Sequence, residues 1–190
     1  MSFTLLFCVA EDARKIIPTI MREYSIDKDQ PPMYLLVESN VCPEDGWAFK
    51  TELKDNEHFE SDFINASKEQ CQKWAHENWK GITYPSGEDI AIADERTARD
   101  GTLLMSTWCQ SNVPFEDWGP LPPKVDTWYD FRIHHRAACE FGIDIHFVPI
   151  EEAYPIYYAQ PEKYTNDAGV FDVPKVDSRL KGELEDKNSA

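Results

Sequence analysis

Asp144 and His146 lie two residues apart in IDIHFV, where apolar residues alternate with polar ones. In a strand both side chains leave the same face, roughly 7 Å apart at about 3.3 Å rise per residue. That is too far for one to fix the other, yet near enough for both to reach one water or one ligand. A histidine beside a carboxylate is the usual acid–base device near neutral pH, and the same pair also reads as a plain solvated strand face. Cys109 is the third candidate group. It follows the apolar run TLLMSTW, and a thiol leaving a strand end becomes a nucleophile when a positive group holds its thiolate. Its plainer reading is a thiol packed beneath the proline-rich stretch that follows, because free cysteine is among the most buried residue types.

A second set of candidates comes from position. In open α/β sheets ligands gather beyond the carboxyl ends of the strands, which nominates Glu38, Asp94, Cys109 and Glu151. Glu38 and Asp94, if close, can share a proton or hold a hard cation. Asp94 also has the right type and place to cap a short helix starting at Glu95. Aromatic residues outside the expected elements, Phe115, Trp118, Tyr154, Tyr157, Tyr158 and Tyr164, suit the wall of a small-molecule pocket, with Trp118, Tyr154 and Tyr158 as ligand contacts. The same residues suit a protein interface or ordinary core packing. His135 and Cys139 are four apart, but two ligands do not make a zinc site, so neither a metal nor a cofactor is expected. The chain has no H-E-x-x-H, glycine-rich phosphate loop or G-x-S-x-G elbow.

Composition narrows the classes of function. Among 190 residues, 35 acidic against 19 basic give a net charge of −16, which repels nucleic acid and anionic membranes and favours a basic partner. Cys8, Cys42, Cys71, Cys109 and Cys139 are scattered and odd in number, so no disulfide framework is indicated. No apolar run approaches the roughly 20 residues of a membrane helix, and a reducing cytoplasm is the expected compartment.

The elements that must position these residues alternate. Phe3 to Val9, Met33 to Val37, Ile90 to Ala93, Thr102 to Trp108 and Ile143 to Val148 read as strands, the last four as neighbours in one sheet. A helix is expected near Pro18. Another, from about Lys68 to Trp79, is opened by Ser67 with Gln70 three residues on and buries Trp74 and Trp79. Trp128, Phe131, His135, Ala138 and Cys139 form a helical stripe that Asp126 or Thr127 can cap, although Trp128 to Ile133 also reads as a short strand. Ser111 to Val125, with four prolines, is expected to be a covering loop. Pro149 ends the last strand, and Glu151 and Glu152 suit the first turn of a helix limited by Pro155. The sum is an α/β fold: an open, partly parallel sheet of about four or five strands with helices on its faces, one domain over residues 1–173, and a frayed polar tail over 174–190.

At MYLLVESNVCPEDGWAF, IAIADERTARDGTLLMSTW and IDIHFVPIEEAYPIYYAQPEKYTNDAGVF the chain resembles an uncharacterised family of small domains common in bacteria, over roughly residues 33 to 173. The resemblance implies an α/β fold and carries over no catalytic residue. The residues themselves lead to a small-molecule-binding protein, with a cofactor-independent isomerase, cyclase or hydrolase-like activity resting on His146 and Asp144. The alternative is a non-catalytic acidic module, of the inhibitor or immunity kind, that docks on a basic protein.

Overall fold

The run from Leu5 to Cys8 is fully buried although its side chains alternate between two faces, so β1 (Phe3–Cys8) is covered on both sides. The computed structural model describes residues 3–23, 33–43, 49–54, 57–78, 85–138 and 148–180. β1 is the middle of three parallel strands, between β2 (Tyr34–Val37) and β3 (Pro85–Ala93), with Phe7 opposite both Val37 and Ile92. β4 (Thr102–Cys109) runs back antiparallel beside β3. After two short strands, β5 (Val113–Phe115) and β6 (Gly119–Leu121), β7 (Thr127–His134) pairs antiparallel with β4 along its whole length. The main sheet has the order β2-β1-β3-β4-β7, an open, partly parallel α/β sheet of five strands. β1 separates β2 from β3, which were expected to be neighbours.

The two faces are covered by different helices. Ala13 from a 3-10 turn and Ile17, Ile20 and Met21 from α1 (Ile17–Glu23) pack with Leu6, Cys8, Leu36 and Ala91 on one face. Pro18 sits in the first turn of α1, where a missing N–H costs nothing. Cys71, Trp74 and Ala75 from α2 (Lys68–Asn78) pack with Leu5, Phe7, Leu35, Val37 and Ile92 on the other. The capping box expected for α2 is formed: Gln70 N donates to Ser67 Oγ at 3.3 Å and Ser67 N to Gln70 Oε1 at 2.7 Å. Trp74 is buried with its ring edges against Phe7 and Phe63, and its indole N–H donates to the Asn40 carbonyl at 2.8 Å. α3 (Glu95–Asp100) ends at Gly101, whose φ of 70° is the left-handed conformation that glycine adopts cheaply.

Three segments differ from the expectation. Thr127–His134 is a strand, not a helix: Tyr129, Phe131 and Ile133 pack into the same core at period two, and the free edge of β4 supplies the hydrogen bonds. The proline-rich stretch is not a bare loop but the β5–β6 hairpin, with Pro114 opposite Pro120; a ribbon of two strands has outer edges where a missing N–H is tolerated. The tail is ordered through α5 (Val173–Leu180), because Val173 and Val176 are fully buried against the core. Pro149 does precede a short helix, α4 (Ile150–Tyr154), which runs into a π-helical turn at Pro155–Ala159. The expected strand at Ile143 and the side chain of Trp79 lie outside the described residues.

Candidate functional site

The crossover from β1 to β2 carries α1 over one face, and the crossover from β2 to β3 carries α2 over the other. Strand order therefore reverses between β1 and β3, the kind of switch point beside which open α/β sheets bind ligands. The segments leaving the carboxyl ends of these two strands, the 3-10 turn at Glu11–Lys15 and α3, pack side by side there. Between them is an open groove of about 500 Å³, lined by Asp12, Lys15, Ile16 and Thr19 from the turn after β1 and the start of α1, and by Glu95, Ala98 and Arg99 from α3. Each wall carries one acid and one base, Asp12 lying 3.6 Å from Lys15, with Ile16 and Ala98 as apolar surface between the charges. Sequence reasoning reached this rim but named the last residues of the strands. The lining lies one turn further on, and it becomes legible only when β1 is known to sit beside β3.

Asp94 is at the same rim and is fully engaged. Its carboxylate accepts from Arg96 N and Thr97 N, both at 3.0 Å, capping α3, and pairs with the Arg132 guanidinium from β7. Burial alone raises its pKa, but the Arg132 and Thr97 bonds outweigh that and hold the carboxyl below its usual range. Glu38 follows β2, with β1 between it and β3, so it stands about two strand spacings, roughly 10 Å, from Asp94. It pairs with Lys50 at 3.1 Å, which also holds Glu57 at 3.4 Å. The two carboxylates are thus in separate ion pairs and not in one shared site.

Cys109 is on the opposite rim, because β4 runs antiparallel and its carboxyl end points away from those of β1 and β3. There it meets two of the nominated tyrosines. Its Sγ lies 3.4 Å from Tyr158 Oη, and Tyr158 has Tyr129 and Tyr154 edge-on at ring-centre distances of 5.0 and 5.1 Å. Burial pushes the Cys109 thiol up, the Tyr158 hydroxyl only partly offsetting it, and drives the Tyr158 phenol far above its usual value. At neutral pH this is a protonated thiol in an aromatic cluster rather than a thiolate. The cluster continues through Phe131, Tyr157 and Phe171, so these rings pack as core.

Trp118 is apart from all of these, exposed in the turn of the β5–β6 hairpin, and Glu151 is exposed in the first turn of α4. Asp144, His146 and Cys139 lie outside the described residues. Among the described residues no cluster of three or more histidine, cysteine, aspartate or glutamate side chains is arranged to hold a metal ion, and no helix is long and apolar enough to cross a membrane.

No family model, curated protein or solved structure matches this chain.

Proposed function

We propose that the protein binds a small polar molecule in the groove between α1 and α3. The observation that carries this reading is the position of the groove at the reversal of strand order, with lining residues from the two segments that leave adjacent parallel strands. Its volume of about 500 Å³ is within the range of small-molecule sites. Lys15 and Arg99 suit a carboxylate or phosphate, Asp12 and Glu95 suit an ammonium or hydroxyls, and Ile16 and Ala98 suit a short apolar body. A ligand carrying both polar signs fits these walls and is not repelled by the net charge of −16 as a simple anion is. Asp144 and His146, the acid–base pair of the sequence, are proposed on the sequence alone as the groups for any turnover, without a cofactor.

Thermal-shift screening against a library of small polar metabolites tests it. A ligand at a hundred times its dissociation constant stabilises the fold by roughly 2.7 kcal/mol. Ala98→Trp, which fills the groove from an exposed position, is expected to abolish that shift while leaving the unliganded melting temperature nearly unchanged. Ligands that stabilise wild type and Ala98→Trp equally place the site elsewhere. If His146→Ala leaves turnover unchanged, the acid–base assignment is wrong while the binding site stands.

A further inference from the structure

The connection from β4 to β7 presents a surface that a groove-binding function does not use. β5 and β6 pair at Val113 with Leu121, Pro114 with Pro120 and Phe115 with Gly119, and Gly119, at φ 74°, closes the turn. The hairpin is anchored along its length: Leu121, at the base, is buried in the core, and the Phe115 ring, next to the turn, lies 6.3 Å from that of Tyr154. Its turn is the opposite. Trp118 is 44 % exposed, and Val125, in the same connection, is 41 % exposed; only Val41 joins them as exposed large apolar residues among the described residues. Glu116 and Asp117, both exposed, precede Trp118 in the same turn, and Asp126 precedes β7, with Lys124 the single base from 110 to 127.

An aromatic residue held out on a pre-formed hairpin loses little conformational freedom on binding, and tryptophan is the residue type most enriched among interface hot spots. The chemistry around it selects the occupant. An exposed two-strand turn is a poor enclosure for a small molecule. Its carboxylates, on a chain of net charge −16, repel nucleic acid and anionic lipid and attract lysine and arginine. A tryptophan face beside carboxylates also suits a guanidinium, which stacks on the ring while pairing with the acids. We propose that the hairpin turn, through Trp118, Glu116 and Asp117, docks a basic, arginine-containing segment of a partner protein.

The probe is a synthetic peptide alternating arginine with leucine and alanine, titrated into the full chain and followed by the indole N–H signals in proton–nitrogen NMR. The Trp118 signal is identified by its loss in Trp118→Phe. The expected result is that this indole and the amides from 116 to 119 shift most. Trp118→Ala and the pair Glu116→Gln with Asp117→Asn are each expected to weaken the peptide at least tenfold. The equal charge change Glu69→Gln with Glu77→Gln, on the exposed side of α2, is expected to change it less than twofold. Melting curves of the variants should superimpose, since all these side chains are exposed. No binding, shifts scattered over the acidic surface, or equal weakening by the two paired variants overturns the proposal. None of these results bears on the groove, whose ligands are scored separately.

Discussion

Asp94 and Arg132 are 38 residues apart in sequence and meet across β4 in a two-pronged ion pair, with Arg132 Nη1 also donating to Thr102 Oγ1 at 3.2 Å. The pair ties the central parallel strands to the edge strand β7, and Asp94 caps α3 as well. Asp94→Ala is expected to cost about 3 kcal/mol, combining a lost cap with a largely buried guanidinium left unpaired. Asp94→Asn should cost less, because the amide oxygen can still accept from the α3 amides. Urea unfolding of the two variants measures the difference; equal costs would show that the cap retained by the amide oxygen contributes nothing and that the charge of Asp94 carries the whole effect.

The same rim sets the acid limb of stability. Burial opposes ionisation of Asp100, but bonds from Arg96 and Thr102 prevail and lower its pKa to about 2, and Asp94 is lowered too. A carboxylate whose folded pKa is depressed stabilises fully above its unfolded value of about 4 and loses that contribution as pH falls through the folded value. Stability is therefore expected to decline from about pH 4 towards pH 2. In Asp100→Asn that decline should be shallower, as measured by denaturant midpoints across the range.

Trp74→Ala is expected to cost about 3–5 kcal/mol, since it removes the largest ring of a mutually packed cluster with Phe7 and Phe63. Trp74→Phe retains ring contact but leaves the Asn40 carbonyl without the indole donor, so its cost should be smaller. A cost under about 1 kcal/mol for the alanine variant would place the side chain in solvent.

Gly101 and Gly119 both have positive φ, near 70°, but differ in what surrounds them. A Cβ at Gly101 would lie 3.0 Å from His134 Nε2 and 3.3 Å from His135 Cδ2, whereas at Gly119 nothing lies within 4 Å. Gly119→Ala should cost about 1 kcal/mol of backbone strain alone, and Gly101→Ala measurably more in the same melts.

Cysteine labelling reads the core directly. Burial raises the thiols of Cys8 to about 11 and Cys71 to about 12, whereas Cys42 is only half-buried. Iodoacetamide at pH 8, with peptide mass mapping, is expected to modify Cys42 while Cys8 and Cys71 stay protected until denaturant is added. Early labelling of Cys71 would mean that α2 opens from the sheet.

Local chemistry in the sequence determined α2, α3 and the central strands. Ser67 with Gln70, Asp94 with Thr97, and Gly101 each act within a few residues of themselves, so the helix ends follow from the residues that form them. Continuous burial likewise followed from the apolar runs at Leu5 and Leu35. The direction of β4 was not determined in this way. TLLMSTW carries no mark of which way it runs, and its hydrogen bonds to β3 and β7 place Cys109 with Tyr158 on one rim and leave Asp94 on the other. Residues 127–134 satisfied two periods at once, and the unpaired edge of β4 selected the strand. The groove depends on β1 lying beside β3, a relation between segments more than 80 residues apart in sequence. Caps and turns are satisfied by neighbours in the chain, whereas a strand finds its hydrogen-bond partners in distant segments. Elements were therefore readable from sequence, and only the tertiary structure decided which functional groups share a rim.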